Sequence, residues 1–279
     1  MTGNSPAAEH CQPMAIEIET QFSFALEGVG DVLLQFEAAA IPEQEILETS
    51  TTMSEADHVA RIAAHDGIGE RIWLRATGPI EVRYAARVEP RRITADLATL
   101  GGLDPHLLPA DTVQYLFDSR YCPGAPFQPF VEAEFGGLQG GARIAAIRDW
   151  VAERFRYEPG SSDTHTTALD SFVERRGICR DYAHVVISLA RASAIPARYV
   201  SAYAPGVEPP DFHAVAEVFL RDPTIAGGGS WQIVDATGMA DPAETAKIGV
   251  GRDAADVSFM TSFGEARFGE KTVSVRANG

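Results

Sequence analysis

The sequence predicts an α+β protein in which an N-terminal antiparallel β-sandwich precedes a core of helices packed on an antiparallel sheet. Apolar and polar residues alternate over residues 15–27, as they do in a half-buried strand. Residues 141–157 repeat with the period of an amphipathic helix, and the period of two returns after Ile195 and Pro196. Separate runs of strands, helices and strands are typical of the α+β class.

The chain divides into two predicted domains. Residues 1–14 are predicted to be a disordered tail, residues 15–92 a β-sandwich domain, and residues 93–279 the core with a C-terminal extension. A chain of 279 residues is long enough for two domains that each bury an apolar core. The boundary is set where the strand pattern gives way to helical periodicity near residue 93.

Short strands and turns account for the N-terminal domain. Residues 31–38 and 44–53 are predicted to be strands. Residues 66–90 predict two strands around a turn at Gly78 and Pro79. Several short strands separated by turn signals favour a β-sandwich.

Helices and then strands follow in the core. Asp111 is predicted to cap a helix, residues 141–157 form a second helix, and residues 166–177 form a third that ends at Gly177. The residues of the third helix predicted to point inward are Leu169, Phe172 and Val173. The predicted strands are residues 197–203, 212–220 and 230–238, with a flexible hairpin tip at residues 226–230.

The net charge of −16 argues against several kinds of partner. An acidic chain repels nucleic-acid backbones and acidic membrane surfaces, so we expect neither as a partner. No apolar run reaches the roughly 18 residues that a membrane span needs.

Three cysteines, Cys11, Cys122 and Cys179, are too few and too irregularly spaced to form a disulfide framework. The N-terminus lacks the basic start and apolar run of a signal peptide. We therefore expect free thiols in a reducing cytoplasm, with Cys11 exposed and without a role.

Cys179 has a special position, because it follows Gly177 and precedes the apolar helical pattern of "CRDYAHVVISLARA". The unpaired N–H groups and the dipole at a helix N-terminus favour a thiolate there. The alternative is a small buried core residue, which is the more common fate of a free cysteine.

His213 and Asp235 are the best partners for this thiol. His213 begins one predicted strand, and Asp235 ends the next. Two adjacent antiparallel strands can bring them together, so that the carboxylate orients the imidazole toward Cys179. Two alternatives remain open. A lone histidine on a strand is more often structural, and the three residues are also possible zinc ligands.

These residues resemble the transglutaminase-like superfamily of thiol enzymes. The matching segments are "GICRDYAHVVISLARASAIPARYVSAY", "FHAVAEVFL" and "WQIVDATG", within about residues 140–240. The resemblance implies a papain-like core in which Cys179 is the nucleophile, His213 the general base and acid, and Asp235 the residue that orients His213. It implies no cofactor and no metal. A strand-rich domain ahead of the core is similar to bacterial members.

The resemblance implies acyl transfer through a thioester, with hydrolysis of an amide or peptide bond as the main reaction and a peptide or protein substrate as the expected partner. Where the family has an aromatic residue two positions after the histidine, this chain has Val215, and Arg180 follows the cysteine. Both changes predict a more open or more polar cleft than crosslinking needs, unless Phe212 or Trp231 supplies the wall. The alternatives are a transglutaminase that forms isopeptide crosslinks, and a non-catalytic binding module on the same fold.

Other polar residues have a structural interpretation as well as a functional one. His184 is expected to point away from the thiol, and Asp181 either caps the helix or lines the cleft. Glu217 is expected to be a buried hydrogen-bond partner. The group formed by Arg252, Asp253 and Asp256 is expected to be a salt-bridged loop, with contact to the substrate as the alternative.

Overall fold

The computed structural model describes residues 15–225 and 228–278, and within them it confirms the α+β class. The α-helices of these residues are α1 (Gln128–Phe135), α2 (Gly140–Arg154), α3 (Ala168–Glu174) and α4 (Cys179–Ala192). The strands are β1 (Ala15–Leu34), β2 (Gln44–Met53), β3 (His58–Ala63), β4 (Glu70–Pro90), β5 (Arg156–Tyr157), β6 (Arg176–Gly177), β7 (Ala197–Tyr203), β8 (His213–Arg221), β9 (Gly229–Val234), β10 (Ala246–Gly251), β11 (Met260–Ser262) and β12 (Ala266–Asn278). Cys11, the predicted tail and residues 226 and 227 of the predicted hairpin tip lie outside the described residues.

The N-terminal sheet is built on the long strands β1 and β4, which pair antiparallel along their length. The alternation predicted for residues 15–27 is confirmed, because Ile16 and Phe22 are buried while Glu17 and Glu19 are exposed. β2 and β3 pair with opposite ends of β4, and β12 and β11 with opposite ends of β1. Hydrogen bonds thus join these strands into one antiparallel sheet.

The predicted turn at Gly78 and Pro79 is wrong, because β4 continues through both residues. β1 is likewise one strand where separate strands were predicted. The register between them shifts from Leu26 to Val29, opposite Gly78, which has φ +75°. Glycine adopts this conformation at little cost, so the local turn signal is used for a β-bulge within a paired ladder.

The last strands of the chain return to the first sheet. β11 and β12, which the sequence analysis assigned to an extension of the core, both pair with β1. Val273 of β12 belongs to the same apolar cluster as Ile18 and Phe22 of β1. The N-terminal sheet is therefore completed by the C-terminal residues, and the boundary at residue 92 remains a proposal.

The core consists of an antiparallel sheet in the order β10-β7-β8-β9, against which α4 packs. Val186 and Leu189 of α4 are fully buried and share a cluster with Ala214 and Ala216 of β8. The predicted amphipathic helix is confirmed as α2. Its buried apolar residues are Ile144, Ile147 and Val151. This packing fixes the first turn of α4 relative to the start of β8.

Two local predictions in the core are wrong. α3 ends at Glu174, and it exposes 42% of Leu169 and 73% of Val173, because this short helix buries only one narrow side. Asp111 caps nothing, since the 3₁₀ helix Ala110–Leu116 begins after Pro109 without a side-chain hydrogen bond.

The two sheets share a buried interface. Tyr203 of β7 and Ile248 of β10 are fully buried in the apolar cluster of the N-terminal sheet. The Tyr203 hydroxyl donates a 2.7 Å hydrogen bond to the carbonyl of Phe36 and accepts one from Thr20. The N-terminal sheet is therefore packed directly against the strands that position the site.

Candidate active site

Cys179 is the first residue of α4, as predicted. Ile178 before it is extended, and its N–H donates a 2.8 Å hydrogen bond to the Asp181 carboxylate. The backbone N–H of Asp181 in turn donates to the carbonyl of Ile178 at 2.9 Å. This reciprocal cap starts the helix at the cysteine, where the helix dipole favours an anionic thiolate.

Asp181 has the capping role that was one of its two predicted roles. Its side chain is fully buried and also accepts hydrogen bonds from the Ser162 hydroxyl at 2.6 Å and from the Arg180 guanidinium at 3.1 Å. It does not line the cleft. A carboxylate with this many donors is held in one position, and it positions the backbone around Cys179.

The structure brings His213 and Asp235 together, as the strand order predicts. His213 begins β8, and Asp235 follows β9, which pairs antiparallel with β8. The Nε2 atom of His213 lies 2.9 Å from Oδ2 of Asp235. Asp235 also accepts the backbone N–H groups of Thr237 and Ala240. Burial opposes its ionisation, but the hydrogen bond from His213 holds the pKa of Asp235 below its usual value.

The other imidazole nitrogen, Nδ1, is available to a group in the cleft. It is buried and has no hydrogen-bond partner among the described residues, and His213 and Cys179 line the same cleft. Burial lowers the pKa of His213, but the hydrogen bond to Asp235 and the proximity of Cys179 outweigh it and raise the pKa to about 9. An imidazolium is therefore favoured at neutral pH, beside a thiol at a helix N-terminus.

The cleft has a volume of about 620 Å³ and lies between the core and the N-terminal sheet. Phe259, Thr261 and Lys271, close to or within the C-terminal strands, form part of its wall. Its aromatic lining residues are Tyr121, Tyr157, Tyr199, Phe212 and Phe259. The opening above Cys179 is thus partly apolar and bounded by both sheets.

Of the residues that were expected to affect the cleft wall, two line the cleft and two do not. Arg180 and Phe212 line the cleft. Trp231 does not, because it packs against Tyr115 and Phe219 on another side of the core. Val215 is buried in an apolar cluster of the sheet and leaves the cleft wall unaffected.

Tyr157 is a site residue that the sequence analysis missed. β5 pairs parallel with β6, which sets Tyr157 opposite Gly177 and beside the first turn of α4. Burial and the neighbouring Cys179 raise the pKa of Tyr157 to about 12, so its hydroxyl keeps its proton. Two-residue strands leave no periodic signal, and no local pattern indicates that this tyrosine reaches the site.

His184 and the loop after β10 have structural roles. Buried His184 accepts the Ala254 N–H at 3.2 Å and stacks on Tyr121, and burial keeps its pKa well below the usual value. Arg252 and Asp256 form the predicted salt bridge, at 2.9 Å. These contacts hold the loop that supplies one wall of the cleft.

Glu217 is the buried hydrogen-bond partner that its strand position predicts. It is 1% exposed and pairs with Arg198 at 2.7 Å and with Lys247, which is fully buried. Burial opposes its ionisation, yet these cations lower the pKa of Glu217 to about 2. Its charge is compensated inside the core, so it is a structural group.

Within residues 15–225 and 228–278, no group of three or more His, Cys, Asp or Glu side chains is placed to hold a metal ion. No helix in the described part of the chain is long and apolar enough to cross a bilayer. In the candidate site, the Asp235 carboxylate forms a direct hydrogen bond with the His213 imidazole.

Comparisons with known proteins agree with this geometry. A model of the transglutaminase-like superfamily matches residues 133–236. The crystal structure of a "putative cysteine protease" from Cytophaga hutchinsonii is similar, with 30% identity, a TM-score of 0.87, and coverage of 95% of this chain and 90% of that one.

Two mycobacterial proteins are similar over a shorter stretch. "Uncharacterized protein ML0607" of Mycobacterium leprae is 33% identical over 118 residues, which is 42% of each chain. "Uncharacterized protein Rv2569c" of Mycobacterium tuberculosis is 32% identical over 129 residues, which is 41% of this chain and 40% of that protein. The chain thus matches less than half the length of these relatives. Together, the superfamily match and the Cytophaga structure support a thiol enzyme in general terms.

Proposed function

Because the chain belongs to the transglutaminase-like superfamily, we propose that it hydrolyses an amide or peptide bond through a thioester on Cys179. The observation that carries this proposal is the order of three groups. Cys179 opens α4, His213 lines the same cleft with an Nδ1 that has no hydrogen-bond partner among the described residues, and Asp235 holds Nε2 of His213 at 2.9 Å. A Cys-His-Asp triad needs these groups in this order.

In the first step, the Cys179 thiolate attacks the carbonyl carbon of the substrate and forms the S–C bond. His213, protonated at neutral pH, gives its proton to the departing amine as the C–N bond breaks. In the second step, neutral His213 takes a proton from water, and the hydroxide adds to the thioester. The C–S bond then breaks, releasing the carboxylic acid and restoring the thiolate–imidazolium pair.

Two donors are proposed for the oxyanion of the tetrahedral intermediate. The first is the backbone N–H of Cys179, at the positive end of α4. The second is the Tyr157 hydroxyl, which stays protonated and borders Cys179 in the cleft. A preorganised donor of this kind contributes about 10²–10³ in rate in other acyl-transfer enzymes.

Hydrolysis is proposed over crosslinking because the residue after the nucleophile is charged. Arg180 lines the cleft beside Cys179, which makes this part of the wall polar and accessible to water. Crosslinking requires that water be kept from the thioester while an amine binds. Phe212 supports the opposite case, because it supplies an apolar surface to the same cleft.

A competition experiment tests the proposal. The protein is incubated with a tryptic digest of casein and a fluorescent primary amine in H₂¹⁸O, and mass spectrometry counts new ¹⁸O-carboxylates against amine adducts. We expect mainly carboxylates from the wild type and from Cys122→Ser, and no product from Cys179→Ser. A majority of adducts at millimolar amine would make the protein a transglutaminase.

Two further measurements would distinguish the enzyme from a binding module and from a metal site. Iodoacetamide should alkylate Cys179 well before Cys122, which is fully buried and whose pKa is raised by that burial. A Cys179 with no product and the pH profile of an ordinary thiol would favour a binding module. Stoichiometric zinc in the purified protein would favour a metal site. Since both described cysteines are free, we also propose a reducing compartment such as the cytoplasm.

A further inference from the structure

The cleft has a charge opposite to that of the whole protein. The chain carries a net charge of −16. The charged residues that line the cleft, apart from the site itself, are nevertheless three cations, Arg120, Arg180 and Lys271, and one carboxylate, that of Asp211. A cationic cleft in an acidic protein concentrates anionic ligands at that place. A ligand can bind only a cation that is not already paired within the protein.

Two of the three cations are already paired. Lys271 donates to Asp211 at 2.6 Å, so this pair is close to neutral. Arg180 donates to the buried carboxylate of Asp181 at 3.1 Å. Arg120 is exposed and makes no side-chain hydrogen bond or ion pair with any of the described residues; its guanidinium lies 4.9 Å from the centre of the Tyr121 ring. Its donors therefore remain available to a ligand.

Hydrogen bonds place Arg120 on the same wall as the first turn of α4. The Tyr121 hydroxyl donates to the carbonyl of Thr164 at 2.8 Å. Arg180, next to Cys179, donates to the carbonyl of Asp163 at 2.7 Å. Two consecutive carbonyls thus join the segment that carries Arg120 to the residue that follows the thiol.

We propose that Arg120 binds a carboxylate of the acyl donor, so that the preferred substrates are acidic peptides. The planar guanidinium matches a carboxylate in a bidentate geometry, and its position over the Tyr121 ring adds a cation–π contact that favours this location. This inference rests on the proposed function, because it assigns the substrate class of the same cleft. The carboxylate comes either from an acidic side chain or from the end of the peptide.

Chloroacetyl peptides test the inference without a known substrate. Cys179 displaces chloride and forms an S–C bond, and mass spectrometry gives the rate. N-chloroacetyl-Gly-Glu-amide is compared with its Gln counterpart, and N-chloroacetyl-Gly-Gly with its amide, which separates side-chain from terminal carboxylates. We expect the wild type to prefer one acidic probe by about three- to fivefold, as suits an exposed ion pair.

The variants isolate Arg120. Arg120→Ala should abolish the preference, and Arg120→Glu should prefer N-chloroacetyl-Gly-Lys-amide over the Glu probe. Arg83→Ala removes the same charge from an exposed site on β4 and should keep the preference. The His213 imidazolium is present in every variant, so it does not account for a change between them.

Two results would overturn the inference. One is equal rates with acidic and neutral probes in the wild type, and the other is a preference that persists in Arg120→Ala. The ratio of rates is independent of the absolute reactivity of Cys179. A slow, ordinary thiol would therefore count against the proposed function, while the ratio would still decide the role of Arg120.

Discussion

A side chain on Gly177 would collide with Asp181, because a Cβ atom built on Gly177 lies 2.5 Å from the Asp181 Cβ. Gly177 was predicted to end α3, but its absent side chain instead makes room for the carboxylate that caps α4. That carboxylate holds the N–H of Ile178, the residue before the thiol. The glycine two residues before the cysteine is thus required by tertiary contact.

Gly177→Ala should lower both the reactivity of Cys179 and the stability of the protein. The added methyl group must displace Asp181, which loses its hydrogen bonds to Ile178 and Ser162, at a cost of about 1–3 kcal/mol. Urea unfolding and iodoacetamide kinetics measure the two effects. Gly137→Ala is the control for labelling, since open space surrounds Gly137, its φ is not positive and it does not line the cleft. Labelling of Cys179 at the wild-type rate would contradict this account.

Asp235→Asn should lower turnover by about 10³–10⁴, because the amide no longer selects the imidazole tautomer that faces Cys179. The rate is measured on peptides found in the H₂¹⁸O experiment. Asp222→Asn is a matched control, because Asp222 accepts the N–H and hydroxyl of Thr224 as Asp235 does those of Thr237. If both variants lose activity equally, disruption of the turn, and not of the tautomer, is the cause.

The His213 imidazole should titrate near pH 9. Its folded pKa is raised, so its contribution to stability is complete below about pH 6.5 and is lost as the pH rises through 9. NMR of ¹³C-labelled histidine follows the titration, and Asp235→Asn should lower the pKa because it removes the negative charge. His184 should stay neutral from pH 6 to 9. A wild-type His213 pKa near 6.5 would rule out the proposed ion pair.

Tyr157→Phe should lower kcat by about 10²–10³ with little change in KM, because the hydroxyl is proposed to stabilise the oxyanion and not the bound substrate. Steady-state kinetics on the same peptides separate these parameters. Tyr182→Phe is the control, since its ring packs against Tyr157 but does not line the cleft. A rise in KM alone would make Tyr157 a binding residue.

Glu217→Gln should destabilise the fold by about 3–5 kcal/mol, because it removes the buried carboxylate that Lys247 and Arg198 share, and leaves Lys247 with the half-exposed Glu43 and Arg198 with Asp66 at 3.8 Å. Urea unfolding measures the change. Glu48→Gln, whose partner Arg87 lies 3.5 Å away on the surface, should change stability by less than about 1 kcal/mol. Equal changes in the free energy of unfolding for the two substitutions would show that burial does not increase the contribution of the Glu217 ion pairs to stability.

The sequence by itself determined the features that depend on local periodicity and on neighbouring strands. Alternation located β1, helical spacing located α2 and the start of α4, and chain order placed His213 at the start of one strand and Asp235 at the end of the strand paired with it. Such signals repeat within one element, so they are legible without the fold.

Only the tertiary structure decided which distant segments of the chain come into contact. It returned β12 to the first sheet, used Gly78 in a bulge, and brought Arg120 and Tyr157 to the cleft of Cys179. β1 pairs with β12 although 240 positions separate even Leu26 from Ala266, and a cleft is lined by whichever loops the packing brings together. Neither long-range strand pairing nor the lining of a cleft produces a periodic pattern in the sequence. The residues of the cleft wall, unlike the proposed reactive groups, were therefore identified only from the structure.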